Sequence, residues 1–334
     1  MNLACQQLYC WQTMKCQNIS CVFFYPWSSV SFHMIPTFTQ PRVVIRPTLP
    51  ADTPAVLEFC KRIWDGNDYI PFVWEEWQKD PKGTLFSAEY AGRAVGIARI
   101  VHMAPGQWWL EGFRVDPAYQ DQHIGTQLQE YIVDWWLAHG DGKVRLWTNA
   151  KRVKVQHLCE RMGFTRTAER AFYAAPPLAE PMDTFTPLTT DDVPAAVEFA
   201  QQADSLTVSG GTMDIGWQVV TPNETSLREL LSWEDGYAFW WRNRWGLLCL
   251  WGNDENETPC PAIGLAASAT TDLPALLLDA RRYIHQNGFH KIVWNACLSP
   301  QTDAILTAAG FAREDDQSNY EYERPHPTRH EPTP

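Results

Sequence analysis

The chain has 334 residues, of which 45% are hydrophobic and 13% aromatic, so it is long enough for about two domains with packed cores. Its formal net charge of −12 argues against a nucleic-acid-binding protein, because such proteins present basic surfaces to the phosphate backbone. No apolar run approaches the ~18 residues that a membrane-spanning helix requires, so we expect no membrane partner.

Residues 1–40 differ in composition from the rest of the chain. They hold four of the nine cysteines, with little charge and no helical or strand periodicity. An apolar run over 19–25 ends at Pro26 without a small-residue cleavage site, which argues against a signal peptide. The cysteines form no CxxC pair, so neither zinc nor any other metal is predicted. We predict a disordered N-terminal extension over 1–40, with Met34 as an alternative start.

The five remaining cysteines lie among apolar neighbours, a pattern typical of reduced thiols that predicts a cytoplasmic protein. From residue 43 onward, hydrophobic periodicity predicts the element order β-α-α-β-β-β-α-β-α-β. Asp52 followed by Pro54 and an apolar-periodic run is typical of a helix start. The last strand of this series is predicted at 170–174.

The stretch 108–140 joins a predicted strand, a loop over 116–125 and a helix that ends before Gly140. This arrangement directs several backbone N–H groups and the positive end of the helix at one point, which favours a phosphate. The P-loop pattern GxxxxGK[ST] and the dinucleotide fingerprint GxGxxG are both absent. An ordinary loop leading into a core helix is the alternative.

The loop over 120–125 resembles the [Gln/Arg]-x-x-Gly-x-[Gly/Ala] loop of the GCN5-related N-acetyltransferase (GNAT) superfamily, which holds the pyrophosphate of acetyl-CoA. Gln120 matches the first position and Gly125 the last, whereas His123 replaces the middle glycine. Because glycine permits positive φ and a close approach, this departure implies weaker binding. The resemblance implies acetyl-CoA as cosubstrate, with cofactor-binding residues Phe113, Arg114, Val115, Gln120, Asp121, Gln122, His123, Ile124, Gly125, Thr126 and Asn149.

An internal repeat follows a proline-rich stretch: 188–199 mirrors 49–59, and 291–295 mirrors 143–149. In the second copy, 268–274 has neither a glycine nor a leading Gln or Arg, so we expect that copy to have lost the cofactor. The predicted fold is α/β of the α+β type, with two tandem GNAT-like domains. Each domain is expected to have a mixed, mostly antiparallel sheet flanked by helices on both faces. The predicted division is an extension (1–40), a catalytic domain (41–176), a linker (177–187), a degenerate second domain (188–324) and a disordered tail (325–334).

Short signatures at 68–71, 111–115 and 210–222 resemble the tandem acetyltransferases that include vertebrate histidine N-acetyltransferase. This resemblance implies an acetyl-CoA-dependent enzyme that acetylates a small amine, such as free histidine, by direct attack in a ternary complex. Two alternatives stay open. One is a non-catalytic acyl-CoA-binding or scaffold protein, and the other is a protein or peptide N-acetyltransferase.

Glu111 is the predicted general base, because its strand leads to the phosphate loop and a carboxylate there can take the proton of the amine. The alternative is a structural carboxylate paired with Arg114 or Arg99. Cys159 stands where many superfamily members carry the tyrosine that protonates the leaving thiolate, although a small buried cysteine is more often a packing residue. Tyr173 is a further candidate for that acid.

The acceptor is expected under the loop between the first two helices, with Asp68, Tyr69 and Trp74 as substrate residues. Asp68 could hold the cationic part of an amino acid, or it could cap the following helix. The Gly210–Gly211–Thr212 segment could offer a backbone nest to a carboxylate, or it could be a plain tight turn.

Overall fold

A computed structural model describes residues 42–182, 184–232, 238–242, 244–255 and 258–327, all of which belong to one compact unit. The predictions for 1–40 and for Met34 lie outside these residues. Within the described ranges, no helix is both long enough and apolar enough to cross a bilayer.

The first half of the chain shows the predicted order of strands and helices. Its strands are β1 (Val44–Pro47), β2 (Gly83–Tyr90), β3 (Arg93–Ala104), β4 (Gln107–Val115), β5 (Lys143–Asn149) and β6 (Thr165–Ala175). Its helices are α1 (Thr53–Cys60), α2 (Ile70–Lys79), α3 (Ile124–His139) and α4 (Val153–Arg161).

The second half repeats this order, with a short hairpin inserted after its first helix and an additional short strand before its last strand. Its helices are α5 (Val193–Gln202), α6 (Glu224–Ser232), α7 (Leu273–Gln286) and α8 (Pro300–Ala308). Its strands are β7 (Thr186–Pro187), β8 (Met213–Asp214), β9 (Val219–Val220), β10 (Ala238–Arg242), β11 (Gly246–Glu255), β12 (Thr258–Ala267), β13 (Ile292–Cys297), β14 (Ala312–Arg313) and β15 (Asn319–Pro325). Pro325, which we assigned to a disordered tail, therefore ends a strand.

Helix α3 shows why the local pattern folds as it does. Leu128, Ile132 and Trp136 recur every four residues and are all buried. Side chains at this spacing share one helix face, and here that face packs on Phe86 and Ile100 of the sheet. The predicted α/β class, with helices packed on a mostly antiparallel sheet, is confirmed.

Thirteen of the described strands form one continuous sheet, whereas the sequence predicted one sheet for each domain. The spatial order is β1-β2-β3-β4-β5-β15-β6-β13-β12-β11-β10-β7, with β14 also paired to β6. The two halves exchange their last strands. The C-terminal β15 lies between β5 and β6, while β6 pairs with β13 of the second half. The linker at 177–187 therefore does not separate two closed sheets.

A buried ion pair lies at this exchange. Arg170 of β6 and Glu321 of β15 are 1% and 2% exposed, and Arg170 Nε donates to Glu321 Oε2 at 2.8 Å. The same guanidinium donates to the Ser209 carbonyl and to Thr212 Oγ1, both at 2.7 Å. Both halves of the chain thus contribute partners to one buried charge.

Replacing Glu321 with Ala should lower the free energy of unfolding by about 3–5 kcal/mol, because it leaves the Arg170 guanidinium buried without its carboxylate. Urea unfolding would measure the loss. The control is Glu75→Ala, which removes the exposed i,i+4 pair with Lys79 and should change the free energy of unfolding very little. Equal effects of the two substitutions would contradict a structural role for the Arg170–Glu321 pair.

Candidate active site

An open cleft lies between β4 and β5. These parallel strands pair only where Gln107–Trp109 faces Lys143–Arg145. Beyond that point β4 runs on to Val115 and β5 to Asn149, and the opposite edge of β5 pairs with β15 along its whole length. The two strands therefore diverge and expose the inner edge of β4.

Backbone N–H groups of β4 point into this cleft. Asp116 N donates to Val95 O of β3 at 2.8 Å, and Arg114 lies opposite Ile97 of β3. Because successive N–H groups in a strand point in opposite directions, those of Val115 and Phe113 face away from β3 and toward the cleft. They lie where the resemblance places the binders of the thioester and the pantetheine.

The loop after β4 leads into α3, and the first backbone amides of this helix have no hydrogen-bond acceptor in the described part of the chain. Gln127 N donates to His123 O at 3.1 Å, which leaves the N–H groups of Ile124, Gly125 and Thr126 without an acceptor among the described residues. His123 has φ 60° and ψ 11°, the left-handed conformation that the glycine of the family motif adopts freely. Three amides at a helix N-terminus fit an anion such as a pyrophosphate.

The loop is held at its start and in its middle. Asp116 is buried, and its carboxylate accepts the N–H of Ala118 at 3.0 Å and two hydrogen bonds from Arg62 at 2.8 and 2.9 Å. Farther along, the exposed Asp121 pairs with Lys154 Nζ of α4 at 2.7 Å. The side chains of 120–123 are exposed to solvent.

Glu111 lies on β4 just past the point where the strands diverge. Arg99 of β3 donates to Oε1, and Gln218 Nε2 of the second half donates to Oε2 at 2.8 Å. Burial raises the pKa of the Glu111 carboxyl above its ordinary value, and the hydrogen bonds and charge of Arg99 and Gln218 oppose this shift. The pairing with Arg99, which we named as the structural alternative, is present. It holds the carboxylate beside the cleft.

Gly112 lets an aromatic ring cover this position. Its φ is 63°, and a Cβ built on it would lie 2.5 Å from a ring carbon of Trp77. A glycine is therefore required for Trp77 of α2 to pack against β4 beside Glu111. The same ring lies 4.8 Å from the Arg99 guanidinium.

The structure does not bring the three predicted catalytic residues together. Cys159 is fully buried in the α3 core, where Gln129 Nε2 lies 3.8 Å from its Sγ. Burial raises the pKa of this thiol to about 11, which makes it a weak proton donor to an ordinary thiolate of pKa near ~8.5. The Tyr173 hydroxyl donates to Asp303 of α8 at 2.5 Å, in the core of the second half. These contacts favour packing roles for Cys159 and Tyr173.

The predicted substrate residues have different environments. Asp68 is 1% exposed and forms two hydrogen bonds of 3.0 Å with Arg114. Its Oδ1 also accepts the N–H of Ile70 at 3.3 Å, at the start of α2, as the capping alternative proposed. The cation that Asp68 holds is thus Arg114 of the chain itself, a partner that the sequence did not indicate.

Tyr69 and Trp74 also differ in their exposure to solvent. Tyr69 is 41% exposed, and its ring meets the edge of Trp77 at 6.0 Å. Trp74 is 2% exposed, and its indole N–H donates to Thr53 Oγ1 in the α1–α2 core. Trp77, rather than Trp74, is therefore the α2 tryptophan that packs against β4 beside Glu111.

Two further predicted positions are occupied by local contacts. Asn149 Oδ1 accepts the N–H of Lys151 at 2.9 Å, and its Nδ2 donates to Gln317 at 3.2 Å. The amides of Gly210, Gly211 and Thr212 all donate to carbonyls of the preceding turn. That segment is therefore a plain tight turn and not a carboxylate nest.

The sequence did not indicate that Arg114 contacts several residues of the loop before α2. Its guanidinium lies 4.3 Å from the centroid of the Trp64 ring and 5.1 Å from that of Tyr69. The sequence also did not indicate the contact of Gln218 with Glu111. The signature at 210–222 includes Trp217 and Gln218, but nothing in its local pattern indicates a partner 107 residues away.

The corresponding region of the second half is arranged differently. Strands β12 and β13 pair only at Ala262 and Ile263, so they too diverge. A short 3-10 helix, Asp204–Ser209, packs against both strands, and Ser205 Oγ donates to Ala266 O and accepts the N–H of Ser268. The Leu273 N–H at the start of α7 donates to Ala269 O. A backbone segment of the same chain thus covers this second divergence.

Comparison with known proteins agrees with this geometry. The model of the acetyltransferase (GNAT) family matches residues 53–164. The human protein named "Probable N-acetyltransferase 16" is 28% identical over 196 residues, which cover 52% of this chain and 53% of that protein. The chain thus spans about half the length of this curated relative.

Two solved structures share the fold at low identity. A tandem GNAT protein from the clavulanic acid biosynthesis pathway has a TM-score of 0.56 and 12% identity, covering 86% of this chain and 99% of that one. A GCN5-related N-acetyltransferase from Sphaerobacter thermophilus has a TM-score of 0.56 and 16% identity, covering 84% and 95%. These likenesses show a shared fold, and the GNAT family match over 53–164 falls on the half of the chain that holds the β4–β5 cleft.

Proposed function

We propose that the chain is an N-acetyltransferase that transfers acetyl from acetyl-CoA to the amine of a small molecule in a ternary complex. The observation that supports this proposal is that three features of an acetyl-transfer site lie close together in the first half. An open β4–β5 cleft, free amides at the start of α3 and the Glu111 carboxylate all lie along one strand–loop–helix segment.

Acetyl-CoA would bring an acetyl thioester to this cleft. The N–H groups of Ile124, Gly125 and Thr126 are suited to its pyrophosphate, and those of Phe113 and Val115 to the pantetheine and the thioester oxygen. An attacking amine must lose a proton as the amide forms. Glu111 can accept that proton directly or through a water, and its raised pKa makes it a better base than an ordinary carboxylate.

The position of the second half favours a small acceptor over a protein chain. The buried side chains of α5 and α6 pack with Val101 and Met103 of β3 and Trp109 of β4, and Gln218 reaches Glu111. This packing narrows the approach to the base. A free amino acid such as histidine fits the proposal, with Tyr69 and Trp77 as an aromatic wall.

We further propose that the second half binds no acetyl-CoA. Its own strand divergence contacts the Asp204–Ser209 segment, and α7 begins with an amide that already has an acceptor. The domain boundaries and the cytoplasmic location remain predictions.

Thiol release with acetyl-CoA and a panel of free amino acids, amines and short peptides tests this function directly. Turnover with small amines supports it, and turnover with peptides alone would favour a protein N-acetyltransferase. If no acceptor is used while acetyl-CoA still raises the melting temperature, the chain is an acyl-CoA-binding protein instead.

Replacing Glu111 with Gln should lower kcat/KM by roughly 10²–10⁴-fold, the usual contribution of a general base. In the wild type, kcat/KM should rise with pH through the pKa of Glu111, which burial places above the ordinary ~4.3, and this limb should vanish in the variant. The control is Glu75→Gln on the exposed face of α2. Unchanged turnover at every pH, with coenzyme A binding intact, would remove Glu111 from the mechanism.

Replacing His123 with Gly should tighten coenzyme A binding several-fold and raise the melting temperature. The left-handed conformation costs a non-glycine residue roughly 1 kcal/mol, and glycine also lets the phosphate approach the backbone. Calorimetry and thermal unfolding measure the two effects.

The matched control is Gln122→Gly. Gln122 is the preceding loop residue and is not among the residues with positive φ, so its replacement should lower the melting temperature. Weaker coenzyme A binding by His123→Gly would show that the imidazole itself contacts the cosubstrate.

A further inference from the structure

The hairpin between β8 and β9 extends from the second half toward the catalytic cleft of the first. It is anchored at both ends. Thr212, just before β8, accepts a hydrogen bond from Arg170 at 2.7 Å. Thr221, just after β9, exchanges two hydrogen bonds with the Gln107 side chain at the start of β4, at 2.6 and 3.2 Å.

The turn of the hairpin is also fixed. Ile215 N donates to the Gln218 carbonyl at 2.8 Å, and Trp217 N donates to Asp214 Oδ1 at 2.9 Å. The Trp217 ring lies 5.2 Å from the ring of Phe172 on β6. These contacts leave the Gln218 amide pointing from an ordered backbone to Glu111 Oε2.

We propose that Gln218 is a positioning residue for Glu111, so that the second half completes the acetyl-transfer site without binding a cosubstrate. This inference rests on the proposed function. The Gln218 amide fixes the orientation of the carboxylate and leaves one lone pair of Oε2 for the proton of the amine. It also stabilises the charged form of the base, because a donor hydrogen bond favours the carboxylate over the acid.

The other charges around Glu111 make this neutral donor significant. Arg99 of β3 is the adjacent cation, but it also pairs with Asp80 after α2, so its charge is shared. The Tyr69 phenol, at the start of α2, has a pKa raised by burial and in part by the nearby charge of Glu111. Within the hairpin, Asp214 of β8 is buried near Arg170 and Glu321. Burial raises the pKa of Glu111, so losing the Gln218 donor should raise it further.

The test is the pH profile of kcat/KM for Gln218→Met, which keeps the size of the side chain and removes the donor. We expect the acid limb to move to higher pH by about one unit, so that the loss of kcat/KM is larger at low pH than at high pH. Gln218→Lys supplies a charged donor and should move the limb the opposite way. The control, Gln202→Met, removes an amide that donates to Glu198 on the exposed part of α5 and should leave the limb in place.

The outcomes separate the two proposals. A wild-type chain that acetylates no acceptor overturns the proposed function and this inference together. An active wild type whose acid limb is the same in Gln218→Met and Gln218→Lys overturns this inference alone. Thermal unfolding and coenzyme A binding identify any variant that has lost its fold, and an equal loss at every pH assigns Gln218 a structural role only.

Discussion

The contact on which the two halves depend is the buried pair of Arg170 and Glu321. A guanidinium this far from solvent needs its carboxylate and its remaining acceptors, because an unpaired buried charge is strongly destabilising. Those acceptors are the carbonyl and hydroxyl of the Ser209–Thr212 turn, which leads directly into the β8–β9 hairpin. The strand exchange therefore fixes the position of the segment that reaches Glu111.

Each half contains a pair of parallel strands that diverge, but only the divergence in the second half is covered by another segment of the chain. Both pairs of parallel strands, β4–β5 and β12–β13, separate after two or three residues of pairing. In the first half this leaves N–H groups of β4 without a partner strand, whereas in the second half a 3-10 helix hydrogen bonds to the end of β12. Buried backbone groups must be satisfied, and the second half satisfies them with its own chain.

Local patterns were sufficient to predict the helices and strands, but not which elements pair with one another. The spacing of Leu128, Ile132 and Trp136 identifies α3, because helix periodicity is a property of neighbouring residues. A strand pattern shows which face is buried but not which strand lies alongside, so the exchange of β15 and β6 was not predictable. The contacts of Asp68 with Arg114 and of Gln218 with Glu111 span 46 and 107 residues and leave no periodic trace.

The residues around Glu111 come from several elements, and their opposing effects together set the basicity of the carboxylate. A carboxylate amid Trp77 and the β4 aromatics loses solvation, which makes it more basic but also threatens to neutralise it. The positive charge of Arg99 opposes neutralisation of Glu111. A cation paired with Glu111 alone, however, would stabilise the carboxylate too strongly for it to act as a base. Sharing Arg99 with Asp80 and adding a neutral amide from the second half gives an intermediate balance. In the proposed mechanism, a base in this environment needs residues of both halves, which would give the second half a role although its own strand divergence is covered.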